Sequence, residues 1–401
     1  MTSHRFGARN RVAIAGFAQS PITRHADTTL GVLTIQTIRD AVADAGLTMD
    51  QVDGLVTAPL FPSVGSHAAT DGHSLVTTTW LARRLGLDPR FAADVQGQLP
   101  VSVAIAVNAV ASGAADHVVL HRALHNPRGQ YHASSSSQAG GMAQWSAPQG
   151  FFGPIAAIAM AYNEYAHRYG IEDGALGDVV VEARKNGSKL PWSYWYGQPL
   201  TRDEYLAAPV INDPIRRLDC DLPVDGVTAF VFTSAERARD LPHRPVHVTG
   251  YSFLNGTLQP PRVPPHWPYD DIMDGGRQGI TTLWEGTGVG PAEIDLPQFY
   301  DGFAPIVFFW LELLGICGPG EAPAFVRGGG IDSDKPDAVA GLSGGGALGN
   351  GRMHGTPQML ECYLQLAGRA GARQREGLSL ALACQGPPHV GGAVMYSAEA
   401  F

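Results

Sequence analysis

The stretch GLSGGGALGNGRMHGTPQ, from Gly341 to Gln358, brings residue types that can do chemistry into close spacing. Seven glycines fall in its first fifteen residues, so backbone can approach a ligand or another segment without a Cβ between them. Arg352 and His354 stand at its far lip, a fixed cation near an imidazole that titrates close to neutrality. Thr356 and Pro357 then open TPQMLECYLQLAG, where Met359, Cys362, Tyr363 and Leu366 recur at helical spacing. The N–H groups at such a helix start can face an anion or a carbonyl oxygen. Two readings stand for this stretch, a ligand-binding glycine floor or a tight packing junction. A charged arginine beside a histidine favours the floor.

The chain of 401 residues carries a net charge of −9, with 44% hydrophobic and 16% charged residues. That composition suits a large soluble core or two fused domains. It contains no basic run, so it lacks the electrostatic footprint of a nucleic-acid binder. The apolar run near the N-terminus is broken by Gly16 and followed by no cleavage pattern, which argues against a signal peptide. The bulkiest apolar stretch, Ile306 to Leu314, is interrupted by Glu312 and is far too short to cross a membrane. Cys220, Cys317, Cys362 and Cys384 are scattered, as expected for reduced thiols in a cytoplasm. No zinc ligand set or disulfide framework is visible. His117, His121 and His125 lie on a segment that begins as a strand, where a four-residue step spans about 13 Å, too far for shared ligation.

These residues must be positioned by a regular scaffold, and the apolar periodicity supplies one. RVAIAGFAQSPI opens with a strand, and a helix follows through Val32, Ile35, Ile38 and Val42 to a stop at Gly46. VDGLVTA and FAADVQG read as strands, PVSVAIAVNAVAS as a small-residue helix, and DHVVLHRA as another strand. Residues 126–153 form a long Ser/Gly/Gln-rich excursion, of a length that is usually functional. Helical spacing returns in PIAAIAMAYNEYAHRYG and over Leu176–Asn186, before DGVTAFVFTSAERARDL gives a strand and helix. PVHVTGYSFLNG then echoes the opening strand, PAEIDLPQFYDGF echoes MDQVDGLVTA, and GLSLALACQG echoes DHVVL. The order is the same in both parts. A duplicated strand/helix unit is therefore expected, spanning 1–243 and 244–401, with the excursion of the first half running over about 126–200.

These two halves resemble the thiolase superfamily, in its sterol-carrier-type or lipid-transfer-protein branch. LTRDEYLAAPVINDPIRRLDCDLPVDGVTAFVFTSAERARDL, at 200–241, resembles the hallmark run of that branch. The similarity extends from the first strand to LACQGPPHVGGAVMYSAE and implies an α/β thiolase fold of two βαβαβ halves in five αβαβα layers. Thiolases carry a nucleophilic cysteine at the start of the buried helix of the first half. Here that position falls near Gln96 to Leu99 and holds no cysteine, so the acyl-enzyme route has lost its usual nucleophile. The motif that often reads His-Asp-Cys-Phe stands as Tyr300-Asp301-Gly302-Phe303. Gly-His-Pro aligns with Gly351-Arg352-Met353, while Cys-x-Gly is kept as Cys384-Gln385-Gly386. Bacterial steroid side-chain aldolases resemble this chain in their repurposed site, although they tend to carry a tyrosine where Arg352 stands. The resemblance implies a homodimer joined to a small zinc-ribbon/OB-fold partner in a heterotetramer. It also implies an acyl-CoA thioester substrate and zinc, if any, only in the partner.

On that resemblance the expected reaction is retro-aldol cleavage of a β-hydroxyacyl-CoA side chain in steroid side-chain degradation. A base takes the hydroxyl proton, the thioester enolate is stabilised, and its carbon is reprotonated. Tyr300 is a candidate proton acceptor, which at neutral pH would need roughly 4 kcal/mol of stabilisation of its phenolate, or a neutral donor to the departing ketone oxygen. Arg352 supplies charge and His354 a proton relay. Backbone N–H groups around Gly345, Gly346 and Gly386 are candidate oxyanion donors. Asp301 reads as the orienter of a backbone turn or as part of the site. Cys384 reads as a small core residue or as the thiol of an acyltransferase, the first rival function. A non-catalytic lipid-binding or scaffolding protein is the second.

Overall fold

The computed structural model describes residues 6–59, 70–95, 97–126, 143–151, 153–253 and 267–401. Gln96 and most of the 126–153 excursion, with its sequence expectations, lie outside the described residues. Nine strands form one sheet among the described residues. They are β1 (Val12–Gln19), β2 (Gly54–Thr57), β3 (Phe91–Asp94), β4 (His117–Leu124), β5 (Gly226–Ser234), β6 (Val246–Phe253), β7 (Leu296–Gln298), β8 (Leu380–Gln385) and β9 (Gly392–Ser397). The spatial order is β3-β2-β4-β5-β1-β6-β9-β8-β7. A short antiparallel seam, Ala13 with His247 and Ile14 with Val246, joins β1 to β6.

Reading outward from that seam, each half presents its first strand, then its last, its next-to-last and its second. In both halves the second strand runs parallel to the next-to-last, β2 to β4 and β7 to β8. This is the repeat that the echo in the sequence anticipated. The second half lacks a counterpart of β3 among the described residues. Its chain forms turns before the glycine stretch and is held to the end of β7 through Phe299 N–H, which donates to Gly341 O at 2.9 Å. Left-handed φ values of 76° at Gly345 and 56° at Gly346 prevent an extended run there.

Side-chain alternation divides the strands between two faces. Val12, Ile14, Val118, Leu120, Phe230 and Phe232 face a central layer of two buried helices, α2 (Leu99–Ala111) and α8 (Thr356–Leu366). From the second half, Ala381, Ala383, Val394 and Tyr396 close the same layer from the other side. The opposite faces are covered by α1 (Leu30–Asp44), which stops two residues before the expected glycine, and by α5 (Tyr269–Thr287) with α6 (Pro305–Leu313). Helix, sheet, helix, sheet and helix therefore follow one another, as a thiolase fold requires. The apolar run at 305–313 is the buried α6. Glu312 accepts there from Tyr165 Oη at 2.5 Å, Tyr269 Oη at 2.9 Å and Gly320 N–H at 2.9 Å. No helix of the described residues is long and apolar enough to cross a membrane.

The excursion contributes α3 (Gly153–Tyr169) and α4 (Gly177–Gly187), and α4 packs directly on α7 (Gly346–Asn350) of the glycine stretch. A Cβ on Gly187 would overlap the carbonyl of Gly349, and one on Gly349 would overlap that of Ala183. Both neighbours are backbone atoms and cannot swing away. Gly349→Ala is expected to destabilise the protein by about 1–3 kcal/mol through overpacking. Urea unfolding measures this, and an unchanged midpoint would contradict the close approach.

Candidate active site

Tyr300 leaves β7 on a loop held in place by five hydrogen bonds. Asp301 is fully buried, and its carboxylate accepts from Ala347 N–H at 2.6 Å, Leu348 N–H at 3.0 Å and Gln358 Nε2 at 2.9 Å. It thereby caps α7, where the orphan donors of a helix start need an acceptor. The neighbouring residue, Gly302, lies under the Tyr300 ring, and a Cβ there would come within 2.7 Å of the phenol oxygen. The Asp219–Leu222 run forms the adjacent wall. Ala304 N–H donates to Asp219 O at 2.8 Å, Asp221 N–H to Gly302 O at 3.1 Å, and Arg352 N–H to Leu222 O at 2.8 Å. One strip of backbone thus fixes Tyr300, Asp221 and Arg352 relative to one another.

These residues surround a cavity of about 350 Å³. Its polar end carries Tyr300, Arg352, His354, Asp221 and Gln98. Ile155, Trp267, Phe303, Ile306, Pro387 and Val390 make an apolar wall. A wider surface groove of about 860 Å³ lies near Lys189 and Arg369–Glu376. There Arg369 is paired with Asp44, Arg373 with Glu361, and Lys189 with Asp334, so its charges answer one another. The smaller cavity is the candidate site.

Burial dominates its electrostatics. It pushes the Tyr300 phenol well above its usual range, Asp221 and Asp301 add to the rise, and Arg122 opposes it. The phenol is therefore a neutral donor at pH 7. Arg352 is brought down to about 10 by burial and then by Arg122, so it stays charged. His354 is held far below its usual value by burial, Arg352 and Arg122. Its φ of 47° is left-handed, and its Nε2 has no hydrogen-bond partner among the described residues. The Asp221 carboxyl is driven well upward by burial and by Asp301. Its nearest cation, Arg352 Nε, lies 3.9 Å away, the outer limit of an ion pair.

The structure brings Tyr300, Arg352 and His354 together as expected, and separates other candidates from them. Asp301 does not line the cavity, since its oxygens are committed to the α7 cap. Gly345 and Gly346 do not line it either. Gly345 N–H donates to Leu342 O at 2.8 Å, and a Cβ on Gly346 would run into the Asp301 carboxylate. On this side the glycine stretch is a packing junction. The start of α8 is equally occupied, because Thr356 N–H donates to Met353 O at 3.3 Å and Pro357 has no N–H. Gly386 stands at the cavity's edge between Gln385 and the lining Pro387, with its carbonyl held by Trp310 Nε1 at 2.9 Å. Cys384 is fully buried. It packs with Leu382 on the outer face of the sheet, where burial pushes its thiol far up.

Asp221 and Gln98 line the cavity, and Arg122 acts on Tyr300, Arg352 and His354 by its charge, although the sequence did not single them out. Arg122 is 1% exposed, and its Nε and Nη1 have no hydrogen-bond partner among the described residues. Strand alternation was the available signal, because Arg122 shares the parity of Val118 and Leu120 and must face the central layer. His117 and His121 have the opposite parity, and His125 Nδ1 contacts Asp225 at 3.0 Å. Among the described residues no group of three histidine, cysteine or acidic side chains could hold a metal ion.

Residues 275–399 match the family model described as Thiolase C-terminal domain-like. A 17-hydroxy-3-oxo-4-pregnene-20-carboxyl-CoA lyase of Mycobacterium tuberculosis is 31% identical over 370 residues, covering 89% of this chain and 92% of the lyase. A steroid side-chain-cleaving aldolase of Thermomonospora curvata is 29% identical over 370 residues, covering 89% and 90%. The solved structure of an Ltp2-ChsH2(DUF35) aldolase superposes with a TM-score of 0.80 at 27% identity, over 97% of this chain and 98% of that one. An acetyl-CoA acetyltransferase of Syntrophomonas wolfei, 15% identical with a TM-score of 0.66 over 98% and 100% of the two chains, shares the fold alone.

The buried histidines carry a pH signature. His121 and His389 are lowered to about 4 and His354 further below its usual value, all chiefly by burial. Unfolded histidines titrate near ~6.5, so between these values only the unfolded chain takes up the proton. Their joint contribution to stability is full above about pH 6.5 and falls as pH drops toward 4. The ring NMR signals of His354 and His121 are expected to stay flat from pH 8 to about 5.5. A His354 midpoint near its ordinary value would contradict the packing.

Proposed function

The chain belongs to the thiolase superfamily, in the family of steroid side-chain lyases, and we propose that it cleaves a β-hydroxyacyl-CoA side chain of a steroid by retro-aldol chemistry. The observation that carries this reading is a neutral phenol, Tyr300, and a charged guanidinium, Arg352, at the polar end of an otherwise apolar cavity. The thioester lies at the polar end and the acyl group against Trp267, Phe303 and Ile306. As the Cα–Cβ bond breaks, its electron pair becomes a thioester enolate. Arg352 and the buried Arg122 supply positive charge for the enolate oxygen. Tyr300 donates to the oxygen on which charge develops, and the Gly386 N–H is a further candidate donor. A phenol raised by burial suits that role better than the role of base. The chain itself needs no bound cofactor in this scheme.

Cys384 is ill placed for an acyltransferase, because its thiol is buried away from the cavity and resists ionisation. The relative solved as an Ltp2-ChsH2(DUF35) aldolase supports a small partner protein for this chain also. We read that partner as an OB-fold protein with a zinc ribbon, bound to a homodimer of this chain in the cytoplasm.

With the partner co-expressed, Tyr300→Phe is expected to lower kcat for ketone release by about 10²–10⁴ while leaving the fold intact. Product analysis by liquid chromatography measures this, and full activity of the variant would remove Tyr300 from the mechanism. Intact-protein mass spectrometry during turnover is expected to show no acyl adduct on Cys384. A stable adduct there would favour the acyltransferase instead.

A further inference from the structure

We infer that Asp221 takes the β-hydroxyl proton in this site, with Tyr300 as the neutral donor beside it, an assignment that rests on the lyase reading above. Retro-aldol cleavage moves one proton from the hydroxyl oxygen to Cα, so some group must accept it and return it. Among the described residues the titratable side chains on the cavity are Tyr300, Asp221, Arg352, His354 and Cys220. Arg352 keeps its proton. Tyr300 and the Cys220 thiol are both pushed upward by burial first and by neighbouring carboxylates next, so at neutral pH each is present as a weak acid. His354 is neutral, but an imidazolium there would stand against both Arg352 and Arg122. Asp221 is different. Taking a proton relieves its burial and its repulsion from Asp301, which makes it the better base.

Geometry supports the same assignment. Asp221 lines the cavity and its backbone is tied to Gly302, two residues from Tyr300. Arg352 is tied to the next residue, Leu222, and its Nε lies 3.9 Å from Asp221 Oδ1, at the outer limit of an ion pair. The step balances on one group. The carboxylate removes the hydroxyl proton, the O–H electrons form the ketone C=O, and the Cα–Cβ pair passes to the enolate. After the ketone departs, the carboxylic acid delivers the proton to Cα and is again a carboxylate.

Kinetics across pH on the full complex, with a steroid β-hydroxyacyl-CoA as substrate, tests the assignment. Among the described residues the charged and titratable groups against Asp221 are Cys220 on its own run, Tyr300 and Asp301 on the next loop, and Arg352 on the glycine stretch, with His354 on the same cavity. Wild type is expected to gain kcat as pH rises through an acid limb well above the ordinary aspartate range. Asp221→Asn is expected to lose about 10²–10⁴ in kcat with KM little changed, and to lose that limb. Asp221→Glu is expected to recover part of the rate together with the limb, which a packing role would not reproduce. An Asn variant within tenfold of wild type, or one keeping the limb, overturns the assignment while wild-type turnover leaves the lyase reading standing. A wild-type complex that releases no ketone overturns both. If the Asn variant does not fold, Asp221→Ser is assayed by the same two criteria.

Discussion

The buried carboxylate of Asp301 is the constraint on which the site depends. It ties the loop that carries Tyr300 to the start of α7 and to Gln358 in α8 through three hydrogen bonds. A carboxyl so deeply buried is raised to about 7 by desolvation, and those donors oppose the rise. Gly346 leaves room for it, since any Cβ there would collide with the carboxylate. The glycines of the stretch therefore serve the reaction indirectly. They let α7 sit against both α4 and Asp301, and that contact sets where Tyr300 and the Arg352–His354 lip meet.

The cavity joins an apolar wall to a polar end in which charge is sparsely compensated. Among the described residues Nε and Nη1 of Arg122 have no hydrogen-bond partner, and burial lowers the group to about 10. An uncompensated buried cation is costly, and a ligand that develops negative charge beside it relieves that cost. This is the logic of an enolate-stabilising site, where the field is arranged before the charge appears. It also explains how the thiolase scaffold can lose its nucleophilic cysteine near Leu99 and still support carbon–carbon bond cleavage. Acyl transfer needs sulfur, whereas enolate formation needs only a field and a proton acceptor.

Much of the scaffold was legible because its signals are local. The alternating strands, the small-residue helix at 99–111 and the repeated order of elements follow from periodicities that survive in any context. The family resemblance pointed to Tyr300-Asp301-Gly302-Phe303 and Gly351-Arg352-Met353, and the fold brings Tyr300 and Arg352 onto one cavity. What misled was reading the glycine stretch as a floor for a ligand. Glycine permits close approach without naming the partner, and at Gly345 and Gly349 the partner is another backbone. Cys384 was ambiguous for a related reason, because an isolated Cys-x-Gly does not reveal which face of its strand the thiol occupies.

By itself the sequence determined the fold class, the missing nucleophile, and a tyrosine, an arginine and a histidine as reactive candidates, since residue type and periodicity are properties of the chain. Only the tertiary structure decided which groups share one cavity and in what protonation state. Asp221 lies almost eighty residues from Tyr300 and reaches it through pairing of the 219–222 and 302–304 segments, while Arg122 arrives from a strand of the other half. Proton affinity depends on burial and on charges that are distant in sequence, so it comes into being only when the chain has folded.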